Sequence, residues 1–146
     1  MIINRLREYR ESHDIKQKDI AKILDVHYST VSGWENGNDT MPITRIITFA
    51  NHYKISLDYL FELTSKINYV PLTINTKVVG ENLKRLRKLN NMTQEQVSRK
   101  LNISTGTYCD YENGNNLIKT NALYGLTQIY KPFSIDKIFK KKDVIK

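Results

Sequence analysis

Two similar stretches of sequence decide the fold. Residues 17–37 read QKDIAKILDVHYSTVSGWENG, and residues 94–114 read QEQVSRKLNISTGTYCDYENG. Each opens with apolar residues spaced three and four positions apart, which is the spacing of one helix face. A three-residue turn follows, and then a helical run that ends at Asn-Gly, where glycine suits the left-handed end of a helix. Each stretch therefore predicts two short helices joined by a tight turn.

The similarity between the two stretches extends along most of the chain. A shift of 77 residues aligns Arg10 with Arg87, and a shift of 78 aligns Ser56 with Ser134 after one inserted residue. An internal repeat of this kind indicates two copies of one structural unit of about 60 residues, close to the lower size at which a domain folds alone. We predict a first domain of residues 1–64, a linker of residues 65–79 and a second domain of residues 80–146.

Each copy reads as five short helices. The spacing of Leu6 and Tyr9 predicts a first amphipathic helix over residues 2–13. In the second copy, Asn91 or Thr93 is expected to cap the second helix and Ser104 the third. No alternating strand pattern of convincing length occurs inside either copy. The predicted fold class is all-α, with two tandem five-helix domains.

The stretch between the copies has a different character. Val70, Leu72 and Ile74 alternate, and Pro71 interrupts any helix. An extended linker is the first interpretation, and a strand that pairs two chains in a dimer is the alternative. Fully extended, the linker spans roughly 50 Å, which exceeds the roughly 34 Å between half-sites one DNA turn apart.

Positive charge is concentrated in the second copy. The 146-residue chain has a formal net charge of +8. Residues 1–64 hold 8 Lys and Arg against 9 Asp and Glu, whereas residues 80–146 hold 13 against 6. An excess of positive charge favours nucleic acid or another acidic partner. The second copy is therefore expected to supply most of the long-range attraction for a polyanion.

Composition argues against several classes of protein. No apolar run approaches the roughly 18 residues that span a bilayer, and the N-terminus lacks the layout of a signal peptide. The single cysteine, Cys109, excludes an intramolecular disulfide, and a reducing cytoplasm is the simplest expectation. No nucleophile motif or phosphate-binding glycine loop occurs, and the three histidines lack metal-ligand spacing. We therefore expect no enzyme, no cofactor, no metal site, no small-molecule substrate and no membrane partner.

Both halves resemble the phage-repressor helix-turn-helix family (Cro/repressor, or XRE), except in the linker and the tail. The resemblance implies two lambda-repressor-like domains, in which small Ala21 and Ser98 let the third helix cross closely over the second. Asp25 and Asn102 stand where this family usually has glycine, in a turn that needs a positive φ. Asp and Asn tolerate that conformation best after glycine.

The resemblance also implies which residues meet DNA. The start of the third helix is expected to enter the major groove, and the start of the second helix and the following loop are expected to contact phosphates. Neither reading helix offers Arg, Gln or Asn at the expected base-reading positions, so shape readout and methyl contacts to thymine are expected to add specificity. The expected base-reading residues are Tyr28, Ser29, Thr30, Ser32 and Gly33 in the first copy, and Thr105, Gly106, Thr107 and Asp110 in the second. The expected phosphate contacts are Lys16, Gln17, Lys18, Asn36, Asn38, Thr93, Gln94, Asn113, Asn115 and Lys119.

Structural roles are favoured for other residues. Arg10 with Glu35, and Arg87 with Glu112, match the family's ion pair between the first and third helices, with phosphate contact by the arginines as the alternative. Aromatic Trp34 and its counterpart Tyr111 are expected to pack in the core, with base or sugar contact as the alternative. Cys109 is expected to be a small packing or groove-side residue rather than a redox sensor. The tail Lys140-Lys141-Lys142 is expected to be solvated, with nonspecific phosphate contact second.

These observations lead to a functional hypothesis with open alternatives. The leading hypothesis is a sequence-specific double-stranded DNA-binding transcriptional regulator, favoured as a repressor, whose unlike copies form a covalent pseudo-dimer. A homodimer is an open possibility. The alternative function is a protein-interaction module, in which one copy, for which the acidic first copy is the candidate, has lost DNA binding and holds a partner such as a toxin or another regulator. Single-strand or RNA binding is disfavoured, because no stacking aromatics lie on a sheet.

Overall fold

The computed structural model describes residues 3–131 and 133–141. The chain divides into two compact units, Met1–Pro71 and Leu72–Lys146. Every regular element in the described ranges is a helix, and each unit contains five. The predicted all-α class with two tandem five-helix domains is therefore confirmed.

The helices of the first unit follow the predicted order. The long fourth helix buries one apolar face, and the fifth helix is a single turn capped by Ser56, whose hydroxyl accepts from the Tyr59 N–H at 3.1 Å. The five helices are α1 (Asn4–Ser12), α2 (Gln17–Leu24), α3 (Tyr28–Asn36), α4 (Ile43–Tyr53) and α5 (Leu57–Leu60).

The second unit repeats this plan with a longer first helix. Ser134 caps its last helix, as Ser56 caps that of the first unit, with the Ser134 hydroxyl accepting from the Lys137 N–H at 3.3 Å. The five helices are α6 (Thr76–Leu89), α7 (Gln94–Leu101), α8 (Thr105–Glu112), α9 (Thr120–Ile129) and α10 (Ile135–Ile138).

Each unit has its own apolar core, in which the third helix supplies buried side chains. In the first unit Val31 and Trp34 are buried, and in the second Tyr108 and Tyr111 take their places. The expected packing roles of Trp34 and Tyr111 are thus confirmed. Burial of an aliphatic side chain such as Val31 stabilises a domain by about 1.5–3 kcal/mol. These buried residues therefore hold the third helix against the rest of the unit.

The turn between the second and third helices adopts the predicted conformation. Asp25 has φ 55° and Asn102 has φ 58°, both in the left-handed region. The next residue then turns back to the second helix, because the Val26 N–H donates to the Ala21 carbonyl at 2.9 Å. Ala21 is itself buried, as the expected close crossing of the two helices requires. The turn fixes where the third helix begins.

The segment between the copies is shorter than predicted. The side chain of Asn75 accepts hydrogen bonds from the N–H groups of Lys77 and Val78 at 3.1 and 3.2 Å. This cap starts α6 at Thr76, so the last four residues of the expected linker are helical. Tyr69, within the linker, donates its hydroxyl hydrogen to Asn51 at 3.1 Å. The alternative of a chain-pairing strand stays a prediction.

Candidate nucleic-acid interface

A buried ion pair fixes the third helix of the first unit. The Arg10 guanidinium donates from Nε and Nη2 to the two carboxylate oxygens of Glu35, each at 2.8 Å. Its Nη1 donates to the carbonyl of Ile15 at 3.0 Å. Glu35 is buried, and a two-pronged bond of this kind sets orientation as well as distance. The expected structural pair is confirmed, and it ties α1 to the end of α3.

The second unit contains the same arrangement. Arg87 donates to Glu112 at 2.7 and 3.1 Å, and to the carbonyl of Met92 at 2.9 Å. Burial opposes ionisation of Glu35 and Glu112, but hydrogen bonds, chiefly from the arginines, outweigh it and lower the pKa of both carboxyl groups. Both carboxylates are therefore ionised near neutral pH.

The two glutamines that open the second helices extend this network. Gln17 donates its side-chain N–H to Glu35 at 3.0 Å, and Gln94 donates to Glu112 at 3.0 Å. Each amide nitrogen carries a second hydrogen. The network thus holds both amides in a defined orientation at the helix N-terminus, and phosphate contact by Gln17 and Gln94 stays a prediction.

A histidine caps the third helix of the first unit. Nδ1 of His27 accepts from the Ser29 N–H at 3.2 Å and lies 2.7 Å from the Ser29 hydroxyl. Next to it, the Tyr28 ring is 48% exposed, and the ammonium of Lys18 lies 5.7 Å from its centre. The cation–π pair joins an expected phosphate contact to an expected base reader. Sequence reasoning missed both features, since histidine is an uncommon cap.

The remaining expected readers of α3 differ in exposure. Ser29 is exposed, whereas Thr30 and Ser32 are half-buried. The Ser32 hydroxyl accepts from the Asn36 side chain at 3.3 Å. Gly33 is buried, and its carbonyl accepts from the N–H groups of Asn38 and Asp39. Gly33 therefore shapes the loop after α3, and its burial argues against the base contact expected of it.

The hydroxyl groups at the start of the third helix of the second unit form hydrogen bonds within that unit. The predicted cap at Ser104 is confirmed, because its hydroxyl accepts from the Thr107 N–H at 3.0 Å; it also donates to the Thr107 hydroxyl at 2.8 Å. The hydroxyls of Thr105 and Ser98 lie 3.1 Å apart. Gly106 is exposed, and Asp110 accepts from the Asn115 side chain at 3.3 Å. Base contacts by Thr105 and Thr107 would share hydroxyls that are already paired, so their methyl groups are the freer feature.

The start of the second helix carries opposite charge in the two units. In the first, Lys16 and Lys18 are exposed, and the Lys16 N–H donates to the Asp19 carboxylate at 3.0 Å. In the second, Thr93 forms the cap, and the position aligned with Lys18 is Glu95, which pairs with Arg99 at 2.6 Å. A helix N-terminus favours anions. Lysines strengthen that preference in the first unit, whereas Glu95 opposes it in the second.

The remaining expected phosphate contacts lie on the surface. The side chains of Asn36, Asn38, Asn113 and Asn115 are exposed in the two loops, and Lys119 is exposed before α9. In the tail, Lys140 is half-buried and Lys141 is exposed, while Lys142 lies outside the described residues. Cys109 is half-buried, with its sulfur 3.5 Å from the Gln94 amide oxygen. Each unit therefore presents a polar surface formed by the second helix, the third helix and the loop after it.

No helix in the part of the chain that the structure describes combines the length and apolar character of a membrane span.

A family model described as helix-turn-helix matches the chain twice, at residues 6–60 and 83–138. The chain is also 28% identical over 64 residues to an uncharacterized HTH-type transcriptional regulator, YobD, of Bacillus subtilis (strain 168). That match covers 44% of this chain and 57% of the relative. No solved structure matches the chain.

Proposed function

Because the chain belongs to the helix-turn-helix family of DNA-binding regulators, we propose that it is a sequence-specific double-stranded DNA-binding repressor of transcription that acts in the cytoplasm. The observation that carries this proposal is the buried arginine–glutamate pair present in each unit. It holds each third helix by its C-terminal end and leaves the first turn of that helix at the surface. A reading helix needs such a fixed orientation, because base contacts depend on sub-ångström placement.

The two units are proposed to read different half-sites as a covalent pseudo-dimer. The aligned first residues of the third helices are Tyr28 and Thr105, which differ in size and polarity. The aligned residues at the second position of the preceding helices, Lys18 and Glu95, differ in charge. Two unlike surfaces favour a non-palindromic site, whereas a symmetric homodimer would favour a palindrome.

Repression is proposed from the way a bound helix-turn-helix unit acts on its site. The described residues form two helix-turn-helix units and the segment between them, and the family match covers most of both units. A domain of this kind blocks transcription simply by occupying its site. No further element is needed for that outcome.

A protein-interaction module is the second candidate, and one observation bears on which copy would serve it. Glu95 and Asp110 place carboxylates on the DNA-facing surface of the second unit, while Lys16 and Lys18 place cations on that of the first. Phosphates repel carboxylates. The second unit, despite its higher net charge, is thus the better candidate for a copy that has lost DNA binding.

Selection of duplexes from a random pool tests the proposal, with Tyr28→Ala and Thr105→Ala run beside the native chain. We expect a bipartite, non-palindromic site, in which each substitution relaxes the preference in a different half. Enrichment of one half-site altered only by Tyr28→Ala would favour the interaction module. Failure of any duplex to be enriched at low salt would refute DNA reading altogether.

A further inference from the structure

An apolar groove lies within the second unit, between its first and last helices. It has a volume of about 380 Å³, and Leu86, Leu89, Phe133 and Ile138 form its apolar lining. Leu89 is 73% exposed, more than any other large hydrophobic residue that the structure describes. Single exposed leucines are ordinary, but this one borders a concave apolar surface. Such surfaces accept the apolar side chains of a partner.

Two cations border the groove. Arg85 comes from α6 and Lys137 from α10. Within the described ranges, neither belongs to an ion pair. Arg85 uses Nη1 to donate to the Asn82 side chain at 2.6 Å, which leaves its other N–H groups for an external acceptor. The groove therefore combines an apolar lining with positive charge from both of the helices that form it.

Asn82, a buried polar residue that lines the groove, already has hydrogen-bond partners. The amide nitrogen of Asn82 donates to the carbonyls of Ile138 and Lys140, both at 2.8 Å, and its oxygen accepts from Arg85. These bonds fix α6 to the end of α10 and preform the groove. Small polar ligands need converging polar groups that are free to orient them. Because Asn82 is consumed internally, the groove suits an apolar peptide face better than a small polar molecule.

The first unit lacks these features at aligned positions. Ser12 stands in place of Leu89, Glu8 in place of Arg85 and Tyr59 in place of Lys137. Arg5, aligned with Asn82, lies 4.5 Å above the Tyr59 ring and donates to the Tyr59 carbonyl at 2.8 Å. The fold therefore forms without an exposed leucine and without Arg85 or Lys137 counterparts at this place, so none of these three side chains is a requirement of folding.

We propose that the groove of the second unit binds an acidic amphipathic segment of a partner protein. Apolar side chains of that segment fill the groove, and its carboxylates meet Arg85 and Lys137. A second copy of this chain is disfavoured as occupant, because a two-fold interface places the same patch on both sides and brings these cations together. This interaction goes beyond DNA binding and uses a different surface of the unit.

The test is titration of the full-length chain into a labelled peptide of about 14 residues, with leucines at i, i+3, i+4 and i+7 and glutamates elsewhere. The double variant Leu89→Ser/Lys137→Tyr, which copies the first unit, is expected to weaken binding at least about tenfold. A scrambled peptide of the same composition and a peptide with lysines for glutamates are expected to bind far more weakly. Unchanged DNA affinity of the double variant would show that it is folded and separate this result from the proposed function.

Several results would overturn the proposal. Equal binding of the scrambled or lysine peptide would mean that no amphipathic, acidic face is recognised. Full binding by the double variant would place the peptide elsewhere. Lys137→Glu alone tests the role of charge with little change to the shape of the groove, and it must weaken binding of the glutamate peptide. A native dimer in sedimentation that Leu89→Ser dissociates would identify a second copy of the chain as the occupant.

Discussion

Reciprocal charge reversal at the second helices tests where the chain meets phosphate. Lys18 and Glu95 are aligned, exposed and placed second in their helices. Two unit charges about 7 Å apart interact by about 0.6 kcal/mol in bulk water. Because Lys18→Glu replaces an attraction to phosphate with an equal repulsion, it should cost about 1.2 kcal/mol, or about eightfold in affinity. Glu95→Lys should strengthen binding by a similar factor.

Fluorescence anisotropy with a selected duplex, repeated over a range of salt concentrations, measures both quantities. Loss of one phosphate contact lowers the slope of log affinity against log salt by about 0.9, so the slope should fall for Lys18→Glu and rise for Glu95→Lys. Lys54→Glu is the matched control, because it makes the same change in net charge at the end of α4. If Lys54→Glu weakens binding as much as Lys18→Glu, net charge alone is at work and the reasoning fails.

Three further predictions concern stability. The pKa of Glu112 is lowered in the folded unit. The ionised carboxylate therefore contributes stability above the ordinary pKa of about 4.3, and this stability is lost as pH falls through the lowered pKa. Tm should fall in acid, and Glu112→Gln should make that fall shallower. Gly80→Ala should destabilise the second unit by about 1–3 kcal/mol, because a Cβ there would lie 2.4 Å from the Glu112 carbonyl oxygen. Gly106→Ala is the control and should not destabilise the unit, because the nearest atom to its Cβ would be 3.9 Å away. Equal urea midpoints for the two variants would contradict this prediction. His27→Ala should lower the free energy of unfolding by about 1 kcal/mol through loss of a helix cap. His27→Ser, which places the residue of the aligned cap Ser104 there, should retain most of that stability in chemical denaturation. An unchanged free energy of unfolding in the alanine variant would show that the cap does not stabilise the unit.

Sequence periodicity was sufficient to predict the all-α fold class, because the features that determine the helices are local and occur in both copies. The Arg10–Glu35 and Arg87–Glu112 pairs, and the positive φ of Asp25, were predicted from the resemblance to the helix-turn-helix family. The start of α6 was missed because one capping side chain, Asn75, decided it against the extended pattern read from its neighbours. A boundary that depends on one capping side chain leaves little trace in hydrophobic patterning.

The candidate site was less predictable because hydroxyls and glycines serve several purposes. Thr105 and Thr107 have the chemistry of base readers, yet their hydroxyls find partners inside the unit. Gly33 occupies a position on the helix expected to read bases, yet the loop that follows covers it. Which partner a short polar side chain selects depends on neighbours brought close by the fold, and the pattern of one helix does not contain that information.

In this chain the net charge of each copy and the charge at its second helix have opposite trends, and the difference separates the two proposed binding surfaces. The second copy holds most of the excess positive charge, but Arg85 lines the groove on α6 and Lys137 lines it on α10, while Glu95 stands at the helix start that should face phosphate. The first copy is nearly neutral but has Lys16 and Lys18 at that start. Electrostatic attraction to DNA acts over about 10 Å at ordinary salt, so charge at the contact matters more than the sum over a domain. Charge reversal at Lys137 should therefore weaken binding of the acidic peptide and leave the affinity for DNA unchanged, whereas charge reversal at Lys18 should weaken DNA binding and leave peptide binding unchanged.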